Sequence, residues 1–115
     1  MFLNFYQRKA GVIVIAEVFG FHIHSGNSCT GNADDYFADS MGHYNPRDCP
    51  HPYHAGDMPP LFGNNGYAFA AFFTDRFTVK EIVGKTVIIR SESDDFTTQP
   101  SGNPGAKIAC GVIKV

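Results

Sequence analysis

Apolar positions along this chain fall into short runs, not helical stripes. Residues 3–7 form a brief aromatic segment and 12–18 a β-branched apolar run, so both read as strands, with Lys9-Ala10-Gly11 as the turn between them. After Gly20, Phe21-His22-Ile23-His24 alternates with period two, which sets both imidazoles on one side of an extended segment. Residues 25–65 change character: Gly, Asn, Asp, Pro and His dominate, β-branched residues are scarce, and the stretch reads as one long loop. Farther along, 67–73 reads as a strand, Asp75-Arg76 as the start of a turn, and 78–83 as one helical turn or a short irregular segment. Residues 85–90 are strongly β-like, 91–106 form a second loop, and 107–115 close the chain as a strand. Strands joined by long loops predict an all-β antiparallel sandwich or barrel, in one domain over 1–115.

About forty residues without regular structure need something to hold them in a compact domain, and metal ligation or a disulfide would serve. The first loop carries the chemistry. All five histidines lie between positions 22 and 54, and Asp34, Asp35, Asp39, Asp48 and Asp57 fall in the same region. In His51-Pro-Tyr-His54-Ala-Gly-Asp57 the candidate ligands recur every third residue and can converge on one tetrahedral ion, with His43 as the fourth ligand. Three neutral nitrogens and a carboxylate oxygen suit zinc, and a closed set of four protein ligands is structural in character. His22 and His24 need further ligands to hold an ion. His43 has a second ring nitrogen and, if deprotonated, could bridge two ions; imidazole suits copper as well as zinc.

Charge and composition narrow the partners. The formal charge is −2 and the nine Lys and Arg residues are scattered, so no basic stripe points to nucleic acid. No long apolar span predicts a membrane crossing. The first residues are aromatic and not a basic-then-apolar leader, so no cleaved signal peptide is visible and the compartment stays open. Three cysteines, Cys29, Cys49 and Cys110, leave at least one thiol unpaired within a monomer.

Six motifs, in order, resemble the copper/zinc superoxide dismutase family over nearly the whole chain: Gly20-Phe-His-Ile-His24, Gly42-His-Tyr-Asn-Pro46, His54-Ala-Gly-Asp57, Gly84-Lys-Thr-Val-Ile-Ile89, Asp94-Asp95, and the run from Gly102 to Ile113 around Ala-Cys110-Gly. The resemblance implies a flattened eight-stranded Greek-key barrel with the metals outside it, under long loops. It implies that His22 and His24 are copper ligands, that His43 bridges copper and zinc, and that His51, His54 and Asp57 complete the zinc site. It implies that Asp94 links His22 to His51, fixing ring orientation at both ions. It also implies a Cys29–Cys110 disulfide, which is compatible with a secreted or extracytoplasmic site. Cys49 is then an additional loop thiol.

The chain departs from the family pattern in three places. Arg90 stands where the family's fourth copper histidine ends its strand, four residues before Asp94, and a guanidinium offers only donors. Lys107 stands where the family carries a superoxide-steering guanidinium; it keeps one positive charge but loses the planar fork. Set against the family pattern, a strand before residues 3–7 and a loop before the Gly-Phe-His motif look absent or shortened in the sequence given. That N-terminal truncation would uncover apolar surface and backbone, which predicts a homodimer or domain-swapped oligomer. Two functions follow. One is a superoxide dismutase-like protein with a structural zinc and an incomplete copper site. The other is an active dismutase converting superoxide to dioxygen and hydrogen peroxide. Arg90 favours the first.

Overall fold

The computed structural model describes residues 3–16 and 18–114, and within 3–8 and 11–16 the backbone alone. Strands Leu3–Arg8 (β1) and Gly11–Ala16 (β2) pair as an antiparallel hairpin around the expected turn at residues 9–10. The aromatic side chains of residues 2–6, on the N-terminal side where self-association is expected, lie outside the described residues. Val18–Phe19 (β3) and Phe21–His24 (β4) follow, separated by Gly20. Leu61–Asn64 (β5), Tyr67–Ala68 (β6), Thr86–Arg90 (β7) and Lys107–Val112 (β8) complete the strands. The sheets are antiparallel, in the orders β3-β5-β6 and β4-β7-β8. The architecture is an all-β sandwich of the Greek-key type.

Two sequence expectations change. Strand β5 lies inside the stretch read as one long loop, and a hairpin joins it to β6 through Asn65 and Gly66, at φ 51° and 77°. Positive φ at both central residues is what Asn-Gly turns accommodate, so the dipeptide was the available signal. The strand expected over 67–73 stops at Ala68, because β5 offers partners only through Gly63↔Ala68 and Asn64↔Tyr67. Residues 78–83 do form one helical turn, Val79–Ile82 (α1), closed by a capping box between Thr78 and Glu81.

Alternation in β4 decides what the molecule can do. Ile23 faces inward and packs with Met58 and Ile82, while His22 and His24 face the loops; all three are buried. The loops supply the hydrogen-bonding edge that β4 lacks. Ile23 N–H donates to Gly56 O at 2.9 Å, Tyr44 N–H donates to Ile23 O at 2.8 Å, and bridges pair His22 with Asp57 and His24 with His43. Gly56 is required there, since a Cβ would strike the Ile23 carbonyl oxygen.

A disulfide joins Cys29 to Cys110, Cα–Cα 5.7 Å, and pins the first long loop to β8. Cys49 is free and half-buried. The bond closes a loop of 81 residue steps, worth roughly 4.5 kcal/mol in the chain-entropy picture. A Cys29→Ser variant is expected to lose about 2–5 kcal/mol of unfolding free energy in urea. An unchanged midpoint would show that the loop is held without the bond.

Candidate metal centre

Two clusters share one histidine. In the first, His43, His51, His54 and Asp57 bring one ligand atom each within 4.8 Å of one another. His43 Nδ1 lies 2.8 Å from Asp57 Oδ1, and His51 Nδ1 and His54 Nδ1 lie 3.1 and 3.2 Å from Asp57 Oδ2. His43 Nδ1 and His54 Nδ1 are 3.2 Å apart. Three imidazole nitrogens and a carboxylate thus converge on one point, a donor set that suits a cation such as zinc. In the second cluster His22, His24 and His43 converge, the His22 and His43 rings stacking at 4.0 Å.

The hydrogen bonds at the far sides of the rings settle which nitrogens face the clusters. Asp94 Oδ2 lies 2.7 Å from His22 Nε2 and Asp94 Oδ1 lies 2.7 Å from His51 Nε2. An ionised carboxylate only accepts, so both rings donate from Nε2 and keep a lone pair on Nδ1. His24 donates from Nδ1 to the Met41 carbonyl at 2.7 Å, which leaves Nε2 as its lone-pair nitrogen. The buried atoms without a hydrogen-bond partner then include His22 Nδ1, His24 Nε2, His43 Nε2, His51 Nδ1 and Asp57 Oδ1. Buried polar atoms are normally satisfied, so five orphans turned toward two points fit metal binding by these donors. The structure thus brings together all the histidines singled out above, with Asp57 and Asp94.

Electrostatics favour the ligating forms of His22, His24, His43 and Asp57. Burial, with His43 nearby, pushes the His22 ring down to about 4 from its ordinary 6.5, and burial pushes His24 down to about 3. Burial likewise lowers His43. Burial pushes the Asp94 carboxyl up, but the bonds from His51, the Phe96 N–H and His22 outweigh it and hold it below its usual value. Asp57 follows the same pattern, with His43 as its main counterweight. A stability prediction follows for the metal-free protein. His22 and His24 stay neutral when folded, while the unfolded chain takes up protons near 6.5. Their contribution is therefore complete above that value and lost as pH falls toward about 4 and then about 3. The slope is up to roughly 1.4 kcal/mol per pH unit per histidine. Urea unfolding across this window should show it; a flat response would mean that the rings are already solvated.

Arg90 and Lys107 flank the histidine cluster. A Cβ built on Gly20 would meet His22 Cε1 at 3.2 Å and Arg90 Cβ at 3.3 Å, so the arginine stem starts beside the His22 ring. Arg90 Nη1 donates to the Gly105 carbonyl at 3.0 Å, and its Nε is buried without a partner. Lys107 Nζ pairs with Asp35 at 2.8 Å and with the Phe37 carbonyl at 3.1 Å. The two basic side chains line a cavity of about 400 Å³ with Asp34, Asp35 and Tyr36. Sequence reading did not single out Asp35 as a partner for Lys107. It also did not assign a site role to Gly102, which at φ 80° leaves room for the Asp94–His51 contact that a Cβ would invade.

Comparison with known proteins agrees with this geometry. The family model described as copper/zinc superoxide dismutase matches residues 10–113. A Photobacterium leiognathi protein named superoxide dismutase [Cu-Zn] is 33% identical over 129 residues, covering 94% of this chain and 75% of its own. A Bacillus subtilis superoxide dismutase-like protein is 32% identical over 109 residues, covering 82% of this chain and 54% of its own. In structure, a Brucella abortus Cu/Zn superoxide dismutase superposes with a TM-score of 0.75 at 26% identity, covering 97% of this chain and 86% of that one.

Proposed function

We propose that this chain, which belongs to the copper/zinc superoxide dismutase family, holds a structural zinc firmly, takes copper weakly and dismutes superoxide slowly. The family's metal-binding scaffold is present, with the four-residue cluster at His43, His51, His54 and Asp57 and an incomplete three-histidine cluster. The observation that carries the proposal is the count of copper-side donors: His22 Nδ1, His24 Nε2 and His43 Nε2 are aimed and unpartnered, and no fourth joins them among the described residues. At the fourth position the resemblance assigns Arg90, whose guanidinium cannot ligate.

Zinc held by His43, His51, His54 and Asp57 would supply a fixed charge, and copper at the three-histidine cluster would supply one-electron chemistry. The residues' own tasks are distinct. His43 presents a nitrogen to each cluster, and Asp94 holds one ring of each. For Lys107 we propose a steering charge on the cavity wall, tempered by its pairing with Asp35. The disulfide supports an extracytoplasmic site for the protein.

A second reading, a working dismutase, draws on the two-sided placement of His43, and one experiment separates the two. Purified protein is analysed for metals, loaded with copper and assayed. One zinc per chain, copper lost on desalting and slow turnover are expected. Tightly held copper with fast turnover would establish the active enzyme instead.

A further inference from the structure

Three of the four ligands in the first cluster lie on one short segment, His51 to Asp57, and two side chains from elsewhere hold its main chain. Gln99 lies beside His51 like a strand partner. Its Oε1 accepts from the His51 N–H at 2.9 Å and its Nε2 donates to the His51 carbonyl at 2.7 Å. His51 is 2% exposed, so these backbone groups have little water to turn to. Gln99 sits in the loop that carries Asp94, so one loop grips both the ring and the main chain of His51.

Arg76 works on the rest of the segment. Its Nη1 donates to the Pro52 carbonyl at 3.1 Å and lies 3.4 and 3.5 Å from the carbonyls of His54 and Asp57. Three carbonyl dipoles from the ligand segment thus turn toward one cationic nitrogen. These contacts fix the course of the main chain that carries His54 and Asp57.

Resting on the metal-centre reading above, we propose that Gln99 and Arg76 are positioning residues for the zinc cluster. They fix the His51–Asp57 main chain so that its ligands converge before the metal arrives. The ordering cost is then met during folding and does not subtract from metal affinity. Neither side chain belongs to the ligand cluster.

The test uses the full-length, metal-free protein titrated with zinc against a chelator, and with cobalt(II) followed by its visible absorption. Gln99→Ala and Arg76→Ala are each expected to weaken zinc by about tenfold, the low end of what orienting contacts contribute at metal sites. Both should also alter the cobalt bands, which report ligand geometry and do not respond to global stability. Arg76→Lys should recover part of the loss by reaching Pro52 alone. Gln99→Glu, which keeps the acceptor for the His51 N–H, should fall between wild type and alanine. The conservative pair keeps the test decisive if an alanine variant fails to fold. Zinc affinity within about twofold of wild type, with unchanged cobalt bands, would overturn the proposal. So would losses no larger than the drop in metal-free stability accounts for. A wild type that takes up no zinc would overturn the metal-centre reading and this inference together; a zinc-loaded wild type with indifferent variants would overturn this inference alone.

Discussion

Replacing Arg90 with histidine is expected to turn loosely held copper into tightly held copper and to raise dismutase turnover. Contacts that merely orient a ligand are worth roughly 10–100-fold in metal affinity, so an added direct ligand should gain at least that much. The arginine stem leaves β7 beside the His22 ring, and its charge acts on His24. Arg90→His would therefore remove a repelling cation and add a donor at the same place. Part of the gain is electrostatic, and Arg90→Met measures that part alone because it removes the charge without supplying a nitrogen. Zinc content should stay unchanged, since His51, His54 and Asp57 form the other side of the centre. Copper titration and paramagnetic resonance of wild type and both variants check this. Equal copper affinity and turnover in wild type and Arg90→His would sink the incomplete-site reading.

The centre was legible in the sequence because its geometry is mostly local. Period-two alternation fixed the side of β4 on which His22 and His24 stand, and His51, His54 and Asp57 are close enough in sequence for one turn of chain to gather them. What connects distant segments was less visible. The Asp94 link came from family resemblance, since nothing local says that a carboxylate 43 residues from His51 will meet it. Gln99 and Arg76 gave no signal because they bind main-chain atoms, and any residue type presents those. Strand β5 was hidden by its composition: Gly63 and Asn64 look like loop, yet they pair with β6 across an Asn-Gly turn. The aromatic run after Ala68 looked like strand and is exposed chain, with Phe73 93% exposed. Propensity there lost to the lack of a partner strand.

Asp94 is the residue whose loss should disturb both clusters, and two substitutions separate the reasons. It is 4% exposed and its two oxygens accept from His22 and His51. Oδ1 also accepts from the Phe96 N–H at 2.7 Å. In Asp94→Asn the oxygen should stay on the Phe96 side, because an amide nitrogen cannot accept from that N–H. The new amide donor would then face His22 Nε2. To avoid two opposed donors, His22 would move its proton to Nδ1, the nitrogen that faces the three-histidine cluster, and that nitrogen could no longer ligate. Asp94→Ala imposes no such choice, since water can take the place of either oxygen. Both variants should lose zinc affinity by roughly tenfold or more, because His51 loses a charge-assisted orienting bond. Copper uptake should fall further in Asp94→Asn than in Asp94→Ala, although asparagine is the closer mimic of the native shape. Metal titration of the two variants, with nitrogen NMR of the His22 ring to report its protonated atom, decides it. If asparagine retains more copper than alanine, ring tautomer does not control the cluster, and Asp94 acts there through charge or packing alone.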